Sequence, residues 1–346
     1  MTDTAPGLPR LGTTLFSLSL EQRKPGRDFA SLVEEVAARD LGPGLEMVAF
    51  QSLRGWPRLD DAAVREVRGV IEGSGLTPSC LAINNDLGLY PGRLLSDDES
   101  YEYVAVQVRG AAALSFPATR VGVETSPATL ERLLPLAEEL GVKIGVEIHA
   151  PLTIDAPPVA ALKQLFTRLD TEWLGFIPDM SSSMRAVPDA VDDAHRAAGI
   201  SPQLTALTKQ IWAEPGPTMA KFPELEARAA ELGATPPQVG NLKMLFTMHG
   251  KMAPERWADF FPHLVHVHRK FYGIVEGPDG LTDPSIDWPI VARVLREQNY
   301  TGFISSEYEA HAYSDRYNAF DQIRAQHDML KRLLEAPVPT LPAVAR

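Results

Sequence analysis

Cysteine is nearly absent. Cys80 is the only one in 346 residues, and it sits in an apolar, strand-like run. It has no partner in the chain for a disulfide, and no thiolate set is available to hold a metal, which fits a reducing cytoplasm. Long apolar runs are missing too, so no segment reads as a bilayer span. The opening MTDTAPGLPR carries an acid early and has no hydrophobic core segment, unlike a signal peptide. A cytoplasmic location is therefore expected. Positive charge is in deficit: 33 Lys and Arg stand against 45 Asp and Glu, a net charge of −12. Phosphate binding wants a basic face, so this balance argues against a nucleic-acid partner. Finally, no G-x-G-x-x-G follows the first apolar run, which removes the main sign of a doubly wound dinucleotide-binding sheet.

What the chain does have is a rhythm of short apolar runs, each followed by a helical stretch. That rhythm implies βα units and a parallel sheet. Strands are predicted at residues 11–18, 45–50, 78–83, 119–123, 144–149, 173–178, 264–270 and 302–307. Helices are predicted at 28–39, 61–72, 98–114, 129–140 after Pro127, up to 169 after Pro157-Pro158, and 315–334. Eight strands alternating with helices is the arithmetic of an α/β (β/α)8 TIM barrel, and such barrels run to this length as one domain. Residues 11–334 are read as that single catalytic domain. The rhythm breaks once. Residues 185–262 are too long for one βα connection, and they carry helical pieces at 223–232 and 239–246 together with Trp212 and Trp257. They read as a helical insertion after strand six, acting as a lid or a subunit interface. The tail 335–346 is proline-rich and expected to be extended.

In a barrel of this kind the chemistry sits where the strands end. Strand five, Ile144-Gly145-Val146-Glu147-Ile148-His149, places Glu147 and His149 on one face, two residues apart. Strand six ends in Asp179. Strand seven alternates His266, His268 and Lys270, and strand eight alternates Glu307 and Glu309. Each has an ordinary explanation: Asp179 as an N-cap, a core histidine, a solvated Lys270, Glu309 reaching solvent. Their joint occurrence on four successive strand ends points instead to one shared cation. Glu147, Asp179, His268 and Glu307 are the expected metal ligands. His268 is preferred over His266, and Glu307 over Glu309, for their positions relative to the strand ends. Three carboxylates and an imidazole make a hard donor set, suited to Mn²⁺, Mg²⁺ or Co²⁺ rather than a structural zinc.

The stretches VEIHAP, IPDMSSS, HVHRKFY and ISSEYEAH resemble the xylose-isomerase-like barrels, the sugar phosphate isomerase/epimerase superfamily. That resemblance implies one divalent metal, most often manganese, on the same four residues. It also implies paired glutamates, Glu147 and Glu307, that move a proton beside a carbonyl. Two features depart from the epimerases: His149 supplies a separate base next to Glu147, and serines follow Asp179 where many members carry a histidine. Glu-x-His, the HVHRKFY and ISSEYE strands and the insertion are most similar to the catalytic α subunits of bacterial C-glycoside deglycosidases. Those work with a small β subunit in a hetero-oligomer, on sugar or aryl C-glycosides oxidised at the sugar 3-position.

This resemblance implies a metal-dependent carbon–carbon lyase. His149 would take the C2 proton, with Glu147 and Glu307 as alternative bases, and Lys270 would hold a substrate oxygen. Phe50, Trp56 and Tyr90 are candidates to stack on a flat aglycone or sugar face, with core packing the ordinary role for Phe50. The alternatives are a keto-sugar isomerase or epimerase, a dehydratase of inosose or dehydroshikimate type, and a non-catalytic sugar-binding barrel.

Overall fold

A computed structural model describes residues 7–336. Eight parallel strands wind into a nearly closed barrel with helices between them. The barrel strands are β1 (Arg10–Thr14), β2 (Gly44–Val48), β3 (Thr77–Ala82), β4 (Ala118–Val121), β5 (Lys143–Ile148), β6 (Leu174–Pro178), β7 (Val267–Phe271) and β10 (Phe303–Tyr308). A short hairpin, β8 (Val275–Gly277) with β9 (Gly280–Thr282), lies between the last two and was not anticipated. The ladder runs β6-β5-β4-β3-β2-β1-β10-β7. Two parallel bridges, Phe176 to Leu264 and Asp179 to His268, span the remaining gap between β6 and β7. Strands β2, β6, β7 and β10 are buried along their whole length. This is expected when one face fills the barrel and the other lies under helices.

The seam between β6 and β7 depends on a glycine. A Cβ placed on Gly175 would run into the carbonyl oxygen of His263, so only glycine allows the two segments to approach there.

The helices begin where local chemistry predicts. Asp28 and Ser31 form a capping box for Phe29–Ala38, and Ser96 and Glu99 do the same for Asp97–Ala113. Pro127 opens Pro127–Leu140, and Gly141 closes it in the left-handed conformation. After β6 the chain forms four helices, Asp189–Ala197, Pro202–Ala213, Phe222–Glu231 and Pro236–Met248, then a 3-10 stretch over Pro254–His263. Among the described residues, no helix is long and apolar enough to cross a membrane. The final helix is Ala319–Glu335, and tail residues 337–346 lie outside the described residues.

The strand bounds all shift from the expectation by at least one residue, and three of the shifts have a clear local form. Strand one stops at Thr14, whose hydroxyl accepts the Phe16 N–H and turns Leu15–Leu18 into a 3-10 helix. Strand two stops at Val48, and Phe50 falls on a short helix, Ala49–Ser52. Strand seven begins its ladder only at Val267, with Leu264 contributing a single bridge.

Candidate metal centre and active site

The C-terminal ends of β5, β6, β7 and β10 meet at the barrel mouth. There, one ligand atom each from Glu147, Asp179, His268 and Glu307 lies within 4.8 Å of all the others. His268 Nδ1 is the hub. It stands 2.6 Å from Glu147 Oε1, 3.3 Å from Glu307 Oε2 and 4.0 Å from Asp179 Oδ2. Asp179 does two things at once. Its Oδ1 accepts the Ser181 N–H at 2.7 Å and caps a 3-10 turn, while Oδ2 has no hydrogen-bond partner. Glu307 Oε2 is buried and unpartnered in the same way.

Above this cluster is a cavity of about 160 Å³, lined among others by Glu147, His149, Lys270, Glu307 and Glu309. Glu147 and His149 thus face the same space, as the strand period requires. His149 Nδ1 is 2.7 Å from the Ala150 carbonyl oxygen. A carbonyl only accepts, so Nδ1 carries a hydrogen, and in the neutral ring the lone pair lies on Nε2.

Lys270 and Glu309 do not behave as solvated side chains. Lys270 is buried, with Nζ 3.4 Å from Asp179, 3.3 Å from Glu307 and 3.0 Å from Glu309. Glu309 is buried too, and Tyr272 donates its hydroxyl to it at 3.3 Å. The strand ends at Tyr308, but the Glu309 N–H still donates to the Phe271 carbonyl of β7 at 3.0 Å, which keeps the residue against the barrel. None of the three proposed aromatic stackers lines the cavity. Trp56 donates to Gln107 and packs against Gly110 of the Asp97–Ala113 helix. Phe50 is 55% exposed rather than a core residue, and Tyr90 is exposed with Arg93 stacked over it.

Two charged residues at the site escaped the sequence reading. Glu46 on β2 is buried between His266 and His268, and Arg120 on β4 stands 3.2 Å from Glu147. A signal was present: each is a lone charge inside an apolar barrel strand, and a buried charge needs a partner.

The electrostatics show a surplus of negative charge. Burial, reinforced by the Asp179 and Glu147 charges, pushes the Glu307 carboxyl up to about 8. Burial would also raise Glu147, but Arg120 and His268 hold it well below the usual range. Burial would raise Asp179 too, but the Lys270 ammonium holds it below the usual range. Burial would lower His268, yet Glu46, Glu307 and Glu147 keep its imidazole well above the ordinary value. Five carboxylates gather round two permanent cations, Arg120 and Lys270. Hard oxygen donors, two orphaned buried carboxylate oxygens and excess negative charge together fit a divalent cation.

A (β/α)8 barrel with this acidic, imidazole-bearing mouth defines a class, and the sequence match agrees. The chain belongs to the xylose isomerase-like TIM barrel family, with residues 36–333 matching it. It is 35% identical over 342 residues to the 3'-dehydrocarminate deglycosidase alpha subunit of a Microbacterium species, covering 95% of this chain and 97% of the relative. It is 34% identical over 336 residues to a C-glycoside deglycosidase alpha subunit of Arthrobacter globiformis, covering 96% and 94%. In fold it resembles a sugar phosphate isomerase/epimerase from Parabacteroides distasonis, with a TM-score of 0.54, 12% identity and coverage of 97% and 96%.

Proposed function

We propose that this chain is the catalytic subunit of a divalent-metal-dependent lyase that cleaves the carbon–carbon glycosidic bond of 3-oxo-C-glycosides. The observation that carries the reading is the gathering of Glu147, Asp179, His268 and Glu307 beside an unencumbered His149 Nε2. Kinship with two deglycosidase alpha subunits over nearly the whole chain supports it.

Glu147, Asp179, His268 and Glu307 would hold the ion, and Mn²⁺ suits their oxygen-rich set, with Mg²⁺ or Co²⁺ as substitutes. When bound, such an ion supplies Lewis acidity towards a carbonyl oxygen. His149 Nε2 takes the proton from C2, next to the C3 carbonyl. The electrons of that C–H bond form the C1=C2 bond as the bond from C1 to the aglycone breaks, and the departing carbon takes up one proton. Lys270, held by Glu309, offers its ammonium to a substrate oxygen. Arg120 keeps Glu147 ionised. A base separate from the two glutamates favours elimination over the two-glutamate proton shuttle of an epimerase.

Residues 11–334 act as one catalytic domain. The 185–262 segment brings His249 to the edge of the site, its ring 5.1 Å from that of Tyr272, and we read this segment as a cover or subunit contact. The alpha-subunit names of the relatives favour a β subunit as partner.

The test is a pair of incubations, with the chain alone and in complex with a β subunit. A 3-oxo-C-glycoside is expected to release its aglycone while a ketohexose is left unchanged. Consumption of the ketohexose with the C-glycoside untouched would replace the lyase reading with an epimerase.

A further inference from the structure

Glu46 lies on β2, opposite the strands that carry the four-residue cluster, and is 1% exposed. Its two oxygens face two histidines. Oε2 is 2.9 Å from His266 Nε2 in an aligned hydrogen bond, and Oε1 is 2.9 Å from His268 Nε2. The second contact is short but bent, so His268 Nε2 makes no aligned hydrogen bond. Ser305 Oγ shares the same nitrogen, 2.9 Å from His266 Nε2. The two imidazole rings stand nearly perpendicular, at 83°.

We propose that Glu46 is a positioning residue that decides which nitrogen of His268 faces the cation cluster. The inference rests on the metal reading above. His268 Nδ1 is hydrogen-bonded to Glu147 Oε1 at 2.6 Å, so both ring nitrogens meet an anionic oxygen. An ion takes only a bare Nδ1, and the remaining hydrogen is then on Nε2, where Glu46 Oε1 lies 2.9 Å away. The lone pair of the neutral ring is then on Nδ1, the atom that already faces Glu147, Glu307 and Asp179. A carboxylate behind a ligating imidazole fixes both its tautomer and its orientation. His266 is the counterweight that keeps Glu46 in place.

A rival arrangement exists, because Glu46, His266 and His268 are themselves close enough to share an ion. It fits less well. It offers one carboxylate against three in the other cluster, and Glu46 Oε2 is already hydrogen-bonded to His266.

The test has two readouts that do not depend on turnover. The first is the Mn²⁺ dissociation constant of wild type, E46Q and E147Q, from the electron paramagnetic resonance of the free ion. The second is the 15N shifts of histidine ring nitrogens in the Mg²⁺-loaded wild type. E46Q is expected to bind Mn²⁺ about 10–100-fold more weakly while keeping its circular dichroism, and E147Q at least as weakly. His268 is expected to carry its hydrogen on Nε2. Binding by E46Q within about twofold of wild type overturns the proposal. So does a hydrogen on Nδ1 of His268, which would put the ion between Glu46, His266 and His268. If E46Q does not fold, the wild-type shifts decide alone. A wild type that takes up no Mn²⁺ defeats the metal reading itself, a result distinguishable from either of these.

Discussion

Glu307 and Glu309 are two residues apart on one strand end and serve different partners. Glu307 Oε2 is 3.3 Å from His268 Nδ1, whereas Glu309 Oε2 is 3.0 Å from Lys270 Nζ. Only the first belongs to the four-residue cluster. Glu307→Ala is therefore expected to abolish metal retention through dialysis, and Glu309→Ala to keep the metal while losing the placement of Lys270. Metal analysis of the two purified variants checks this. The reverse pattern would move the ion one step outwards along the strand.

His149 touches the cavity but not the cluster, and its Nδ1 is engaged with the Ala150 carbonyl. His149→Ala is expected to retain one metal per chain and to lose turnover of a 3-oxo-C-glycoside by about 10²–10⁴-fold. Near-normal turnover would transfer the base role to Glu147 or Glu307.

The seam of the barrel has its own test. Gly175→Ala pushes a methyl group against the His263 carbonyl, where β6 meets the segment leading into β7. Overpacking of that kind costs about 1–3 kcal/mol. A lowered urea midpoint is expected. An unchanged midpoint would mean that the two segments leave room for a methyl group at this seam.

His249 gives the protein a pH dependence apart from the chemistry. Burial pushes its imidazole down to about 4, and its Nδ1 donates to the Leu245 carbonyl at 3.1 Å. The unfolded chain therefore binds more protons than the folded one between about 4 and 6.5. The stabilising contribution is complete above the unfolded value and is lost as pH falls towards the folded one. Its steepest slope is about 1.4 kcal/mol per pH unit. Unfolding free energies at pH 7 and pH 5 should fall further for wild type than for His249→Gln. Parallel losses in the two proteins would remove His249 from this role.

Much of this was legible in the sequence because barrel chemistry collects at strand ends. Glu147, Asp179, His268 and Glu307 each follow or close an apolar run, so their convergence could be argued from spacing and strand order alone. Glu46 and Arg120 were not legible in that way. Each is a single charge within its strand: Glu46 finds its partners, His266 and His268, on a strand far off in sequence, whereas Arg120 meets Glu147 on the next strand, where nothing in the local pattern pairs them. Phe50 was misjudged because the apolar run Leu45–Phe50 hides a turn into helix after Val48. Glu309 was misjudged because the strand stays covered past Glu307, with Tyr272 and Lys270 waiting for it. The β8–β9 hairpin is too short, at three residues a strand, to leave a clear period.

The central claim is a place, so the most direct measurement is anomalous diffraction from Mn²⁺-loaded crystals, recorded on both sides of the manganese edge. The account predicts one peak per chain, enclosed by Glu147, Asp179, His268 and Glu307. A peak between Glu46, His266 and His268, or no peak at the barrel mouth, would contradict it.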